Sequence, residues 1–409
     1  MKMAKKRHPL LTKISLLSAS LLIVSGGAIA GNIPEISQTY PEVSLVFIEM
    51  LVTIPSLFVI LTVLLSPKLA GKIGYKTSLL VGIGLVLLMG ILPVFLRSFQ
   101  LLLLSRIFFG VDIGLINPLL YSFASQLYRG RELATVIGFQ SAFEGIGGML
   151  ATLTVGQLMI FGWRTSLLVY GMALPIFVLF LLFVPEIMPP VLATHKLVPE
   201  KGKTPRSSET NFTQLVGLLL ILVTIYMSLS FKIGSFLQTA NLGAGTQASN
   251  FLALIGAGAM VAGFFFGKLF TWLGQRIVSL SIAGMAAMLI LLAFSNTLWL
   301  VYLCGGMTGF FFRLFVPYVF NSVNQAKFNQ EKRTAILLIT FNLGAALSPI
   351  VIGALQAVLP AITNNRLFLF EGILLGCLLG IRLCQKKFSE ILGNRSLKLR
   401  ANPKARDDC

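Results

Sequence analysis

Twelve stretches of this chain stay apolar for long enough to cross a lipid bilayer, and no other feature limits its fold so strongly. A helix rising about 1.5 Å per residue needs about 20 apolar positions to span the hydrocarbon. Such stretches fall at 10–31, 43–65, 78–96, 100–123, 133–160, 165–184, 212–235, 247–270, 277–295, 298–322, 334–358 and 366–384. They are long rather than alternating, which excludes a porin-like barrel. Hydrophobic residues make up 56% of the chain and charged residues 11%, against roughly a quarter charged in a soluble domain. A soluble globule cannot hide that much apolar surface, and a disordered chain would not carry it. The sequence therefore predicts an all-α membrane protein with twelve transmembrane helices.

The first stretch follows the basic start Lys2, Lys5, Lys6 and Arg7, as a signal peptide would. It is longer than a signal core, and no small-x-small site stands clear of it, so it reads as span 1. An even number of spans puts both termini on one side. Of the 33 Lys and Arg residues, 27 fall on that side, in the termini and the even-to-odd loops. Arg97, Arg164 and Arg366 fall on the other side, and Arg106, Lys232 and Arg313 within spans. The positive-inside rule then predicts both termini in the cytoplasm, and the expected location is the cell membrane. The net charge of +19 is thus a topology signal, not a nucleic-acid footprint.

The segment 185–211 carries five prolines and no apolar period. It divides the chain into a six-span unit (1–184), a cytoplasmic linker (185–211), a second six-span unit (212–385) and a basic tail (386–409), which reads as solvated and partly disordered. Cys304, Cys377 and Cys384 lie in apolar runs and Cys409 ends the chain, so no disulfide framework or CxxC metal pattern is present. His8 and His195, the two histidines, belong to no metal or triad constellation. No Walker loop and no nucleophile–base set appears. No cofactor, metal or enzymatic activity is expected, and the energy for any transport should come from an ion gradient.

The two halves repeat each other. Pro67-Lys68-Leu69-Ala70-Gly71-Lys72-Ile73-Gly74-Tyr75-Lys76 is echoed by Gly267-Lys268-Leu269-Phe270-Thr271-Trp272-Leu273-Gly274-Gln275-Arg276, an offset of 200. Gly110, Pro118 and Gln126 correspond to Gly309, Pro317 and Gln325, and Glu132 to Glu331, an offset of 199. Parallel six-helix repeats are one architecture of secondary transporters.

The 67–76 stretch resembles motif A of the major facilitator superfamily, Gly-x-Leu-Ala-Asp-Arg-x-Gly-Arg-Lys, through Leu69, Lys72, Gly74 and Lys76. Its echo retains Leu269, Gly274 and Arg276. Arg106 to Gly110 resembles motif B, Arg-x-x-x-Gly, and Gly162-Trp163-Arg164 is similar to a common family feature. The resemblance implies two six-helix bundles related by a pseudo-two-fold axis around a cavity that opens alternately to each side. Gly71 and Thr271 stand where motif A has an Asp that helps lock the cytoplasmic gate. Phe143-Glu144, aligned on Gly147-Gly148, stands where the antiporter motif C has Gly-Pro.

Charges at depth cost about 2.5–3.5 kcal/mol on insertion scales, so each should face a cavity or a partner. Asp112 in span 4 and Glu144 in span 5 both lie near mid-membrane and are the candidate proton carriers, with packing roles as the alternative. Around a helix, Asp112 points about 120° away from Arg106, so the two should not pair within the span. Arg106, Arg313, Asn117, Gln140 and Asn342 are the candidate substrate or gating groups, and Asn32 and Gln238 are further polar candidates. The resemblance implies proton transfer or gating for Arg106. Lys232 is read as snorkelling to the interface. Glu49 and Glu371 are read as lying near outer ends, within reach of water.

The expected activity is proton-coupled export of a small, largely apolar molecule. Uptake or exchange of an organic anion is the first alternative, and a non-transporting membrane receptor on the same fold the second. The expected partners are a small-molecule substrate, protons and membrane lipids, without nucleic acid, and the expected state is a monomer.

Overall fold

The computed structural model describes residues 9–128, 130–187, 206–243, 245–324, 330–359 and 363–401. His8, Arg129, His195, Lys196, Lys201, Lys203, Gln325, Lys327 and the chain after Ala401 lie outside them. Among the described residues there is no strand. In hydrocarbon every backbone N–H and C=O must find its partner within the segment, and the helix does this.

Among the described residues, twelve helical spans are long and apolar enough to cross a membrane: span 1 (Leu10–Thr39), span 2 (Leu45–Ile73), span 3 (Tyr75–Val94), span 4 (Phe99–Ala124), span 5 (Ala142–Phe161) and span 6 (Trp163–Phe183) in the first half. The second half holds span 7 (Phe212–Thr239), span 8 (Gly245–Leu273), span 9 (Arg276–Ala293), span 10 (Leu298–Phe320), span 11 (Ala335–Val358) and span 12 (Asn364–Gln385). Several span ends differ from the sequence reading; span 2, for example, runs to Ile73 rather than 65. Span 1 continues to Thr39, because Pro34 starts a new helical segment, Ile33–Thr39, instead of ending the run. That span is interrupted at mid-depth by a 3-10 stretch, Ser25–Asn32, around Gly26 and Gly27. The last helix runs unbroken from Asn364 to Ala401. The tail expected to be partly disordered is helical through Ala401, in keeping with its Leu, Lys, Arg and Glu content and the absence of Pro before Pro403.

The repeat is visible in three dimensions. The helices Leu45–Ile73 and Gly245–Leu273 are offset by 200 residues, as are Gly130–Leu158 and Gln330–Val358. The motif-like glycines do the same job in both halves. Gly74 (φ 86°) and Gly274 (φ 51°) take the left-handed backbone that a side chain disfavours. Each donates its N–H to the carbonyl four residues back, Ala70 or Phe270, at 2.9 Å. Gly110 and Gly309 are the equivalent crossing points inside the halves. A Cβ on Gly110 would come within 2.7 Å of Pro55 Cα, and one on Gly309 within 2.9 Å of Ile255 Cα. Gly110→Val and Gly309→Val should each cost about 1–3 kcal/mol by forcing spans 2 and 4, or 8 and 10, apart. Thermal unfolding in detergent would read this, and a variant as stable as the parent would contradict the crossing.

Buried apolar side chains form one large core in spans 1–6 and another in spans 7–12. Phe231, Ile352 and Leu367 join the first core from the second half. The large exposed apolar residues, such as Leu64, Phe264, Phe265 and Trp299, are what acyl chains would cover.

Polar contacts join the halves at the end opposite the termini, called here the far end. Gly245 N–H donates to Glu35 Oε1 (3.3 Å), and Thr246 Oγ1 donates to the Gly156 carbonyl (3.0 Å). Glycines let the helices meet there. A Cβ on Gly234 would reach Pro34 Cγ at 2.7 Å, on Gly353 Val46 Cγ2 at 2.5 Å, and on Gly156 Ser249 Cβ at 2.8 Å.

Candidate functional site

Span 4 and span 5 lie side by side in the first half and bring two polar pairs together. Asn117 and Tyr121 are one turn apart on span 4, and Gln140 and Glu144 one turn apart on the span 5 helix. Tyr121 O–H donates to Glu144 Oε1 at 2.5 Å. Gln140 is buried and donates from Nε2 to the Leu120 carbonyl at 3.4 Å. Its Oε1 has no donor among the described residues. Gly147 and Gly148, one turn beyond Glu144, press against Leu21 and Val24 of span 1. This packs span 5 against the interrupted part of that span.

Arg313 of span 10 faces this pair from the second half, within electrostatic range of Glu144, Tyr121 and Tyr226. Among the described residues it closes no ion pair within 4 Å. Tyr226 of span 7 stacks on Phe312 with ring centroids 3.9 Å apart and planes at 9°. Phe341 of span 11 flanks Phe312 at 6.4 Å. A carboxyl group with a hydroxyl donor thus lies within electrostatic range of a guanidinium from the other half, beside stacked aromatic rings. Glu144, Tyr121 and Arg313 are all half-buried. Such a site can hold a proton on Glu144, an anion on Arg313, or an apolar molecule against the rings. Asn342 lies apart from this exchange: its Nδ2 turns back to the Leu338 carbonyl of its own helix at 2.9 Å.

Arg106 and Asp112 are placed elsewhere. Both are 0% exposed inside the first half. Arg106 donates to Tyr170 Oη (3.3 Å) and to the Met89 carbonyl (3.4 Å), and its guanidinium lies 5.0 and 5.2 Å from the rings of Phe109 and Tyr170. Asp112 feels Arg106 electrostatically and sits by the Ile113 backbone N–H, yet its two oxygens complete no hydrogen bond of full geometry among the described residues. As their helical positions predict, the two form no ion pair within 4 Å among the described residues. Asn32 likewise ties spans 1 and 6, donating to Ser166 Oγ at 2.8 Å.

The motif A-like loop is held by an acid that sequence reading did not single out. Glu186, just beyond span 6, accepts from the Lys76 backbone N–H (3.1 Å) and from Thr77 Oγ1 (2.9 Å), which caps the start of span 3. Lys76 Nζ donates to the Leu181 carbonyl at 2.7 Å. Leu69 packs on the first core and Leu269 on a small cluster of Ala262, Ile277 and Leu314. Lys72 and Arg276 are exposed. A Cβ on Gly71 meets nothing within 4 Å, so steric need does not explain the missing motif Asp. Gly71→Asp should be tolerated within about 0.5 kcal/mol, and a thermal melt that falls further would show a hidden constraint.

Three residues correct the sequence reading outright. Lys232 does not snorkel: it is buried and its Nζ lies 2.7 Å from Glu49 Oε1, with the two side chains 2% and 0% exposed. Glu49 and Glu371 are not in water's reach either, at 0% and 2% exposure. Counting residues from a helix end gives depth, but it cannot show that the neighbouring surface is protein.

Twelve spans in two repeated halves, with polar and charged side chains brought together between them, define a multi-pass membrane protein. The sequence profile of the Major Facilitator Superfamily matches residues 15–349, and the chain belongs to that family. No curated protein matched the sequence. Among solved structures, a bacterial homologue of the human lysosomal transporter Spinster, inward-facing and unoccupied, superposes with a TM-score of 0.72 at 15% identity. The match covers 87% of this chain and 84% of that one. A POT family transporter in complex with a thioalcohol-conjugated peptide gives a TM-score of 0.74 at 12% identity, covering 92% and 96%. At these identities the likeness is one of fold.

Proposed function

We propose that this protein is a proton-coupled exporter of a small, largely apolar compound. In this reading it sits as a monomer in the cytoplasmic membrane with both termini inside, and its halves rock about the central site. Glu144 carries the proton. The observation that supports this is the Tyr121–Glu144 pair facing Arg313 across the interface, because an acid there meets a different environment whenever the halves move. Protonated, Glu144 leaves Arg313 and the Tyr226–Phe312 stack to the substrate. Ionised, it is held by Tyr121 and attracted by Arg313. Asp112, sealed inside one half beside Arg106, positions span 4 and exchanges no proton with the cavity. A gradient of 100 mV supplies about 2.3 kcal/mol per proton.

Arg313, without an ion pair among the described residues, favours one other reading: an organic anion taken up or exchanged. Inverted membrane vesicles with an imposed pH gradient separate the two. Export predicts that interior-acid vesicles accumulate hydrophobic cations or neutral aromatics and leak protons as they do. Anion exchange predicts uptake that follows an anion gradient and needs no pH step. Vesicles that move neither class under either gradient would favour a receptor.

A further inference from the structure

Buried charge is gathered at a second place, nearer the far end, where four spans meet. Lys232 of span 7 pairs with Glu49 of span 2 at 2.7 Å and donates to Gln356 Oε1 of span 11 at 2.9 Å. One turn earlier on span 7, Ser228 O–H donates to Glu371 Oε1 of span 12. Glu371 Oε2 has no donor among the described residues. Lys232 is the charged group acting on both acids. Two carboxyl groups therefore share one ammonium in a sealed, apolar setting. A sealed carboxylate without its own counter-ion costs several kcal/mol, so charge balance leaves one proton to be held. Lys232 is engaged by Glu49, and the proton falls to Glu371.

The topology gives this arrangement a consequence. Glu49 belongs to the first half, whereas Lys232, Gln356, Ser228 and Glu371 belong to the second. Parting the halves at the far end carries Glu49 away and leaves Lys232 within electrostatic range of Glu371, whose partner Ser228 lies four residues, or about 6 Å, earlier along span 7. We propose that Glu49, Lys232 and Glu371 form a proton-binding latch, separate from Glu144, that closes the far end when Glu371 takes up a proton and opens it when Glu371 gives that proton to far-side water. In the closed state Lys232 neutralises Glu49 across the halves and Glu371 is a neutral acid on Ser228. In the open state Lys232 neutralises the Glu371 carboxylate, Glu49 is hydrated, and one proton has left. Charge and protons balance in both states.

The sign follows from linkage. The closed state holds one proton more than the open state, so acid favours closure. Each pH unit changes the closed-to-open ratio by up to about tenfold over the titrating range.

The test is a distance measurement on the full chain in lipid nanodiscs. Spin labels go on Gln38→Cys and Thr239→Cys, exposed positions at the far ends of spans 1 and 7, after the native cysteines are replaced. The parent should shift from long to short distances as pH falls from 9 to 5. Glu371→Gln, which copies the protonated acid, should stay short at every pH. Lys232→Ala should stay long at every pH. Glu144→Gln should respond to pH as the parent does, which keeps this result apart from the proton carrier assigned above. A parent that ignores pH overturns the latch. So does a Glu371→Gln variant that follows pH like the parent, or a Lys232→Ala variant that stays closed. If Glu371→Gln does not reach the membrane, Lys232→Ala and the parent decide the matter alone.

Discussion

Glu144→Gln should abolish uphill transport while leaving the protein folded. With one proton moved per substrate, a step of two pH units supplies about 2.7 kcal/mol, enough for about a hundredfold concentration ratio. The amide cannot release a proton, so the ratio in vesicles should fall to about one. Exchange of labelled for unlabelled substrate should persist, since the halves still rock and the Tyr226–Phe312 stack is intact. Tyr121→Phe removes the 2.5 Å donor and should weaken coupling without ending it. A Glu144→Gln protein that still builds the parent's gradient would remove Glu144 as carrier.

Arg106→Ala should be the most destabilising single change inside the first half, at about 3–5 kcal/mol. The side chain is wholly buried, bridges span 4 to spans 3 and 6, and lies against two rings. Its loss opens a cavity and strips Asp112 of the cation it feels. Adding Asp112→Asn should restore part of the loss, because a neutral amide tolerates the site better than a lone carboxylate. Unfolding in detergent measures both. An Arg106→Ala protein as stable as its parent would mean the guanidinium is dispensable. Arg106→Lys is not a mild substitute, since an ammonium cannot span Tyr170 and Met89 in one plane.

The membrane class, the twelve spans and the duplication were legible because hydrocarbon imposes long apolar runs and each half repeats its punctuation. Gly74 and Gly274 recur because both need a left-handed turn. Gly110 and Gly309 recur because both admit a crossing helix. The charged sites were legible only in part. Depth along a span can be counted, which singled out Glu144 and Asp112, but depth says nothing of azimuth. Glu144 lies within electrostatic range of Arg313 in the other half, whereas Asp112 is wholly buried in its own half and feels Arg106. The partner of Lys232 is hidden from sequence for the converse reason. That partner, Glu49, is remote in sequence and in the other half, and no periodicity connects them. The spacing of Ser228 and Lys232, two polar residues one turn apart on an apolar helix, was the one available hint.

The glycines at the far end carry one more implication. Where Gly156, Gly234 and Gly353 meet Ser249, Pro34 and Val46, the seam is made largely of main chain and short, stiff groups. Long side chains lose rotamer freedom each time they interlock, but these have little to lose. Shutting such a seam freezes few torsions and reopening it liberates few, so the two arrangements can lie close in free energy and exchange quickly. A single methyl placed there, as in Gly353→Ala, would act as a wedge and convert a reversible zip into a propped door.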